Sequence, residues 1–78
     1  MTPLLAELAE KYGGDLAEVL KNLSGVRGSH SVPNAYRKGA RYALEALGMR
    51  GTDARTVADA LTREQVQRLG RIYDEMVA

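Results

Sequence analysis

Residues 33–47 read PNAYRKGARYALEAL, and the way this stretch divides its faces decides the fold. Proline opens it, Gly48 and Gly51 stand just beyond its end, and together they bracket a helix. Set out at 100° per residue, Asn34, Arg37, Lys38, Arg41 and Glu45 fall on one polar arc. The rest of the circumference is apolar, with Tyr36, Ala40, Ala43, Leu44 and Leu47 on one side and Ala35, Gly39, Tyr42 and Ala46 on the other. An apolar arc of roughly half the circumference exceeds the stripe of about 100° that a surface helix turns to its core. Such a helix either runs through the middle of a bundle or keeps a second face for a partner. Ala35, Gly39 and Ala43, spaced by four, would admit another helix at close range, at a helix-propensity cost for glycine of about 1 kcal/mol. Close packing inside one subunit is the simpler expectation, and a homodimer seam through Gly39 and Tyr42 is the alternative.

Shorter helical signals lie on both sides. Thr2 and Pro3 read as an N-cap and a first helical residue; Leu5, Leu8, Ala9 and Tyr12 share a stripe, Glu7 and Lys11 are spaced to pair, and Gly13 and Gly14 end the helix, giving about 3–12. Asp15 with Glu18 approximates a capping box for a helix over about 15–23, with Leu16, Val19, Leu20 and Leu23 inward. Thr52 and Asp53 are expected to cap a helix over about 53–61 that buries Ala54, Val57, Ala58 and Leu61 and pairs Arg55 with Asp59 outside. Thr62 and Gln65 form a full capping box for a last helix over about 63–77. Its stripe is Val66, Leu69, Gly70, Tyr73, Met76 and Val77, with Glu64 and Arg68, and Arg71 and Glu75, paired opposite. No segment alternates with period two between hairpin turns. The expected fold is all-α: a compact single-domain bundle of four to five short helices, residues 1–78 forming one helical domain.

Composition narrows the function. A chain of 78 residues lies near the lower limit at which one apolar core is self-sufficient. Phe, Trp and Cys are absent, so Leu, Val, Ala, Met and four tyrosines must build the core, and a second subunit or partner would complete it. Zero cysteines exclude disulfides, thiolate metal sites and a cysteine nucleophile, and point to the cytoplasm. The N-terminal stretch has neither the basic start nor the apolar run of a signal peptide, and no segment approaches the roughly 18 apolar residues that span a bilayer. With one histidine and no carboxylate pair in an apolar segment, no group is placed to activate another, so no catalytic residue, cofactor or metal ligand is assigned.

Net charge is +1, yet residues 24–55 carry Arg27, Arg37, Lys38, Arg41, Arg50 and Arg55 against Glu45 and Asp53. The loop GVRGSHSVPN (residues 25–34) adds flexible glycines, hydroxyls at Ser29 and Ser31, and His30, all ahead of a helix N-terminus whose free N–H groups and dipole favour anions. Arg27, His30, Arg37, Lys38, Arg41 and Tyr42 are therefore the candidate partner-binding residues, Tyr42 beside arginine and lysine being a mixture that interfaces favour. Neither GxxxxGK[ST] nor GxGxxG is present. Of the helix pairs tested as helix-turn-helix units, 16–23 with 34–47 has too long a loop, and 53–61 with 63–77 lacks a turn glycine and carries Asp74 and Glu75.

The first expectation is a non-enzymatic helical protein that works by protein–protein binding, as an adaptor or inhibitor. The Ala, Gly, Arg and Leu bias fits a bacterial or phage chain, for instance an accessory protein that blocks a host or defence complex. The alternatives are a small nucleic-acid-binding regulator using the basic stretch 27–41, which predicts steep salt dependence, and a self-assembling subunit.

Overall fold

The computed structural model describes residues 3–29 and 31–78. Five helices form: α1 (Pro3–Tyr12), α2 (Gly14–Ser24), α3 (Asn34–Ala46), α4 (Gly51–Ala60) and α5 (Arg63–Val77), with no strand among the described residues. The all-α bundle is thus observed, and the expected N-cap at Thr2 lies outside the described residues. Packing follows the order α1 on α2, α2 on α5, α5 on α3 and α3 on α4. Polar contacts from the end of α1 to α4 close the circuit: Tyr12 and Lys11 both donate to Asp53. The radius of gyration is 11.0 Å, as expected of a compact chain of this length, for which scaling gives about 11.5 Å.

Only aliphatic side chains are sealed from solvent at the centre: Leu20, Leu23, Leu44, Val57, Leu61 and Leu69. Tyrosine rings, expected as core material, stay at the edge. Tyr12 packs against the core with its hydroxyl outward, while Tyr36 and Tyr42 are exposed. A phenol hydroxyl needs a polar partner when buried, and leucine fills the same space without that demand.

Three helix starts differ from the sequence pattern. Asp15 makes no capping bond; Gly13, with φ 65°, takes the N-cap of α2 and is the only residue between α1 and α2. A single-residue reversal needs left-handed backbone at Gly13 and Gly14, and it carries Asp15 inside the first turn. Pro33 is the N-cap of α3 rather than its first residue, with φ −60° and ψ 146°. In α4 the N-cap is Arg50, because Asp53 turns to Tyr12 and Lys11 instead of its own helix. The fifth start matches: Thr62 Oγ1 accepts from the Gln65 amide at 3.2 Å and Gln65 Oε1 accepts from the Thr62 amide at 2.8 Å. Gln65 also donates through Nε2 to the Leu23 carbonyl at 2.9 Å, so one buried side chain joins the end of α2 to the start of α5.

Between α3 and α4 the chain turns in four residues, 47–50. Gly48 has φ 107°; its amide donates to the Glu45 carbonyl at 3.0 Å and the next amide, Met49, donates to the Leu44 carbonyl at 3.0 Å. This is a Schellman end, with glycine at the left-handed position and Met49 folded back, buried, beside Leu44.

Candidate functional site

Helix α3 presents two solvent-facing surfaces, separated by the buried line of Ala40 and Leu44. On one side Asn34, Arg37, Lys38 and Arg41 face Arg55, Ala58 and Asp59 of α4 across an open cleft of about 230 Å³. Arg41 reaches Glu45 at 3.3 Å one turn on. Lys38 and Arg55 are exposed and form no ion pair, and the Arg37 Nε is shielded from solvent without a hydrogen-bond partner. The expected pair of Arg55 with Asp59 is not formed, nor are those of Glu7 with Lys11, Glu64 with Arg68 and Arg71 with Glu75; the ion pairs among the described residues are Lys11 with Asp53 and Arg41 with Glu45. Exposed pairs at i,i+4 are worth only about 0.3–0.5 kcal/mol, so helical spacing permits them without enforcing them.

On its other side α3 faces α5 across a groove of about 480 Å³. The floor is small: Ala35, Gly39 and Ala43 from α3, Val66 and Gly70 from α5. A Cβ built on Gly39 or on Gly70 would meet nothing within 4 Å. Close packing at Gly39 inside the subunit is therefore overturned, since no helix of the chain covers it. Tyr36, Tyr42 and Tyr73 stand along the groove, and Tyr42 is 54 % exposed rather than lying under the terminal helix. The stripe read along α5 is divided in the same way. Leu69 is buried and Val66 packs on the core, as does Ile72, which the stripe leaves out, whereas Gly70 is exposed over the groove and Met76 and Val77 are exposed at the end of the helix.

The loop 25–33 belongs to neither surface. The Ser29 carbonyl accepts from the Arg63 amide at 2.8 Å, and Val32 is buried. Gly28 lies so close under the Glu64 carboxylate that a Cβ there would overlap it. Ser29 accepts through Oγ from the Ser31 amide and caps no helix. Arg27 is exposed and enters no ion pair among the described residues, and His30 falls outside them. The six candidates read from the sequence are thus divided: Arg37, Lys38 and Arg41 share the cleft, Tyr42 lies in the groove, and Arg27 sits on the anchored loop. Arg55, Gly70 and Tyr73 were missed. Their own helical patterns place them on an outer or an inner face, but not opposite α3.

Among the described residues, the titrating group with a resolved shift is Asp53. The Tyr12 hydroxyl, then the Lys11 ammonium, donate to Asp53 and hold its carboxyl below the ordinary value, with the positive charges of Lys11 and Arg50 acting in the same direction. Tyr12 in turn accepts from the Arg50 amide at 3.0 Å. This cluster fastens α1 to α4. No group of three or more metal-ligating side chains occurs among the described residues, and no helix there is long and apolar enough to cross a membrane. Comparison with protein-family models, with curated proteins and with solved structures finds no match.

Proposed function

We propose that the protein is a non-enzymatic binding domain that receives an amphipathic helix of a partner protein in the groove between α3 and α5. The observation that carries this reading is the gathering of exposed apolar side chains on these two helices. Among the described residues, the large hydrophobic side chains left exposed are Tyr36, Tyr42, Met76 and Val77, all on α3 or α5. Two facing glycines keep the floor low enough for a guest backbone, and tyrosines offer broad contact area with few rotors to order. Occupying a surface in this way is how an adaptor or an inhibitor works, and it asks for no nucleophile, base or cofactor.

The test compares proteins captured by the wild type, by Gly39→Trp, which fills the groove, and by Lys38→Glu, which alters only the other surface. Far-UV circular dichroism checks that all three fold. A partner that binds the wild type and Lys38→Glu directly, in purified form, and fails with Gly39→Trp supports the reading. Equal binding by Gly39→Trp overturns it. Sedimentation of the chain alone decides the special case in which the guest is a second copy, since that dimer would dissociate in Gly39→Trp.

A further inference from the structure

We propose that the face formed by α3 and α4 binds the phosphate backbone of duplex nucleic acid, with α3 along the backbone and the outer side of α4 turned to a groove. The inference is independent of the α3–α5 groove. Its first support is the connection itself. Two helices joined by four residues, with a left-handed glycine and the next residue buried, make a helix-turn-helix linkage, and α3 with α4 is the pair in this chain that has it. In such units the first helix crosses the backbone and the second lies in the major groove, which is about 12 Å wide and admits one α-helix.

Charge is distributed to suit that arrangement. Arg37, Lys38 and Arg41 lie on the first helix and Arg55 on the second. Against them stand Asp59 in the cleft and Glu45 at its end, so the face holds two positive charges in excess while the whole chain holds +1. The rest of the chain therefore holds one negative charge in excess, and the positive excess lies on this face. Thr52 flanks Arg55 on the exposed side of α4 and adds a hydroxyl group, while the Thr56 hydroxyl donates to the Thr52 carbonyl at 3.0 Å. The carboxylate nearest the start of α4, Asp53, is drawn aside to Tyr12 and Lys11 and does not face the ligand. Among the described residues Lys38 and Arg55 are exposed and enter no ion pair, as expected of donors whose acceptor comes from outside. A partner's acidic side chains could meet the same charges, but the four-residue turn between α3 and α4 is not needed for them.

The experiment is a fluorescence-anisotropy titration of a mixed-sequence duplex of about twenty base pairs with the full chain, at about 50 mM and about 200 mM salt. Three to four phosphate contacts predict a loss of affinity of roughly a hundredfold across that range. Lys38→Gln and Arg55→Gln should each lower the slope against log salt by about one, and Asp59→Asn should tighten binding several-fold. Gly39→Trp, in the groove, should change nothing. Absence of binding by the wild type at low salt, or a slope unchanged in Lys38→Gln and Arg55→Gln, overturns the proposal, as does a polyglutamate competitor that displaces duplex at equal charge concentration.

Discussion

The two surfaces of α3 lie on one helix of 13 residues, yet they differ in almost every physical respect. The groove toward α5 is apolar and floored by glycine, and its contacts would be short-ranged and insensitive to salt. The cleft toward α4 is cationic and largely unpaired, and its attraction reaches about a Debye length, some 8 Å at physiological ionic strength. Together they show how a small chain, with little interior to spare, can leave much of a helix uncovered and still hold it, because a single buried line suffices. That line is Ala40 and Leu44.

The sharpest way to break the comparison is to remove what both surfaces share. Leu44→Ala opens a cavity in the centre and should cost about 2–5 kcal/mol in urea unfolding, a large part of the stability of so small a domain. If it costs under 1 kcal/mol, α3 is not held by that line. Gln65→Ala comes next. It removes half of the capping box and leaves the Leu23 carbonyl without its donor, for an expected loss of about 2 kcal/mol by the same measurement. Because Gln65 ties the start of α5 to the end of α2, the groove should suffer before the cleft does. The glycines then separate stability from binding. Gly39→Ala and Gly70→Ala meet open space and should each raise stability by about 0.5–1 kcal/mol through helix propensity. Each should also weaken docking of the groove partner. Lys38→Ala, on the cleft side, should leave unfolding unchanged within about 0.5 kcal/mol.

The smallest effect is a pH dependence. Asp53 has a folded pKa below its ordinary 3.8. Between the two values the unfolded chain binds more protons than the folded one, so stability rises with pH there. Its contribution is complete above the unfolded pKa and is lost as pH falls through the folded one. Thermal unfolding followed below about pH 4 should therefore show a steeper acid loss in the wild type than in Asp53→Asn. Identical acid limbs would remove Asp53 from the closure of the bundle.

Much of this was legible along the chain. Five helices were expected within two residues of their observed ends, because glycine pairs, Pro33 and the Thr62 capping box are strong local punctuation. The excess apolar width of α3 was legible too. Its use was not, since Ala35, Gly39 and Ala43 give the same pattern whether a neighbour covers them or solvent does. Nor could the cleft be assembled from sequence. Arg55 has Asp59 at pairing spacing on its own helix, and only the α3–α4 turn brings it opposite Arg37 and Lys38. Asp15 and Asp53 misled for a common reason: a carboxylate near a helix start reads as a cap, while the position of the turn before it decides whether it serves as one.

The Tyr12 hydroxyl leaves one further trace. The Arg50 amide precedes α4 and donates to that side-chain oxygen, 38 residues away along the chain, rather than to a carbonyl of its own helix. Its exchange with solvent deuterium consequently reports the seating of α1 against α4. A single backbone proton thus acts as a gauge of whether the first helix has docked, readable residue by residue in the folded protein without any label.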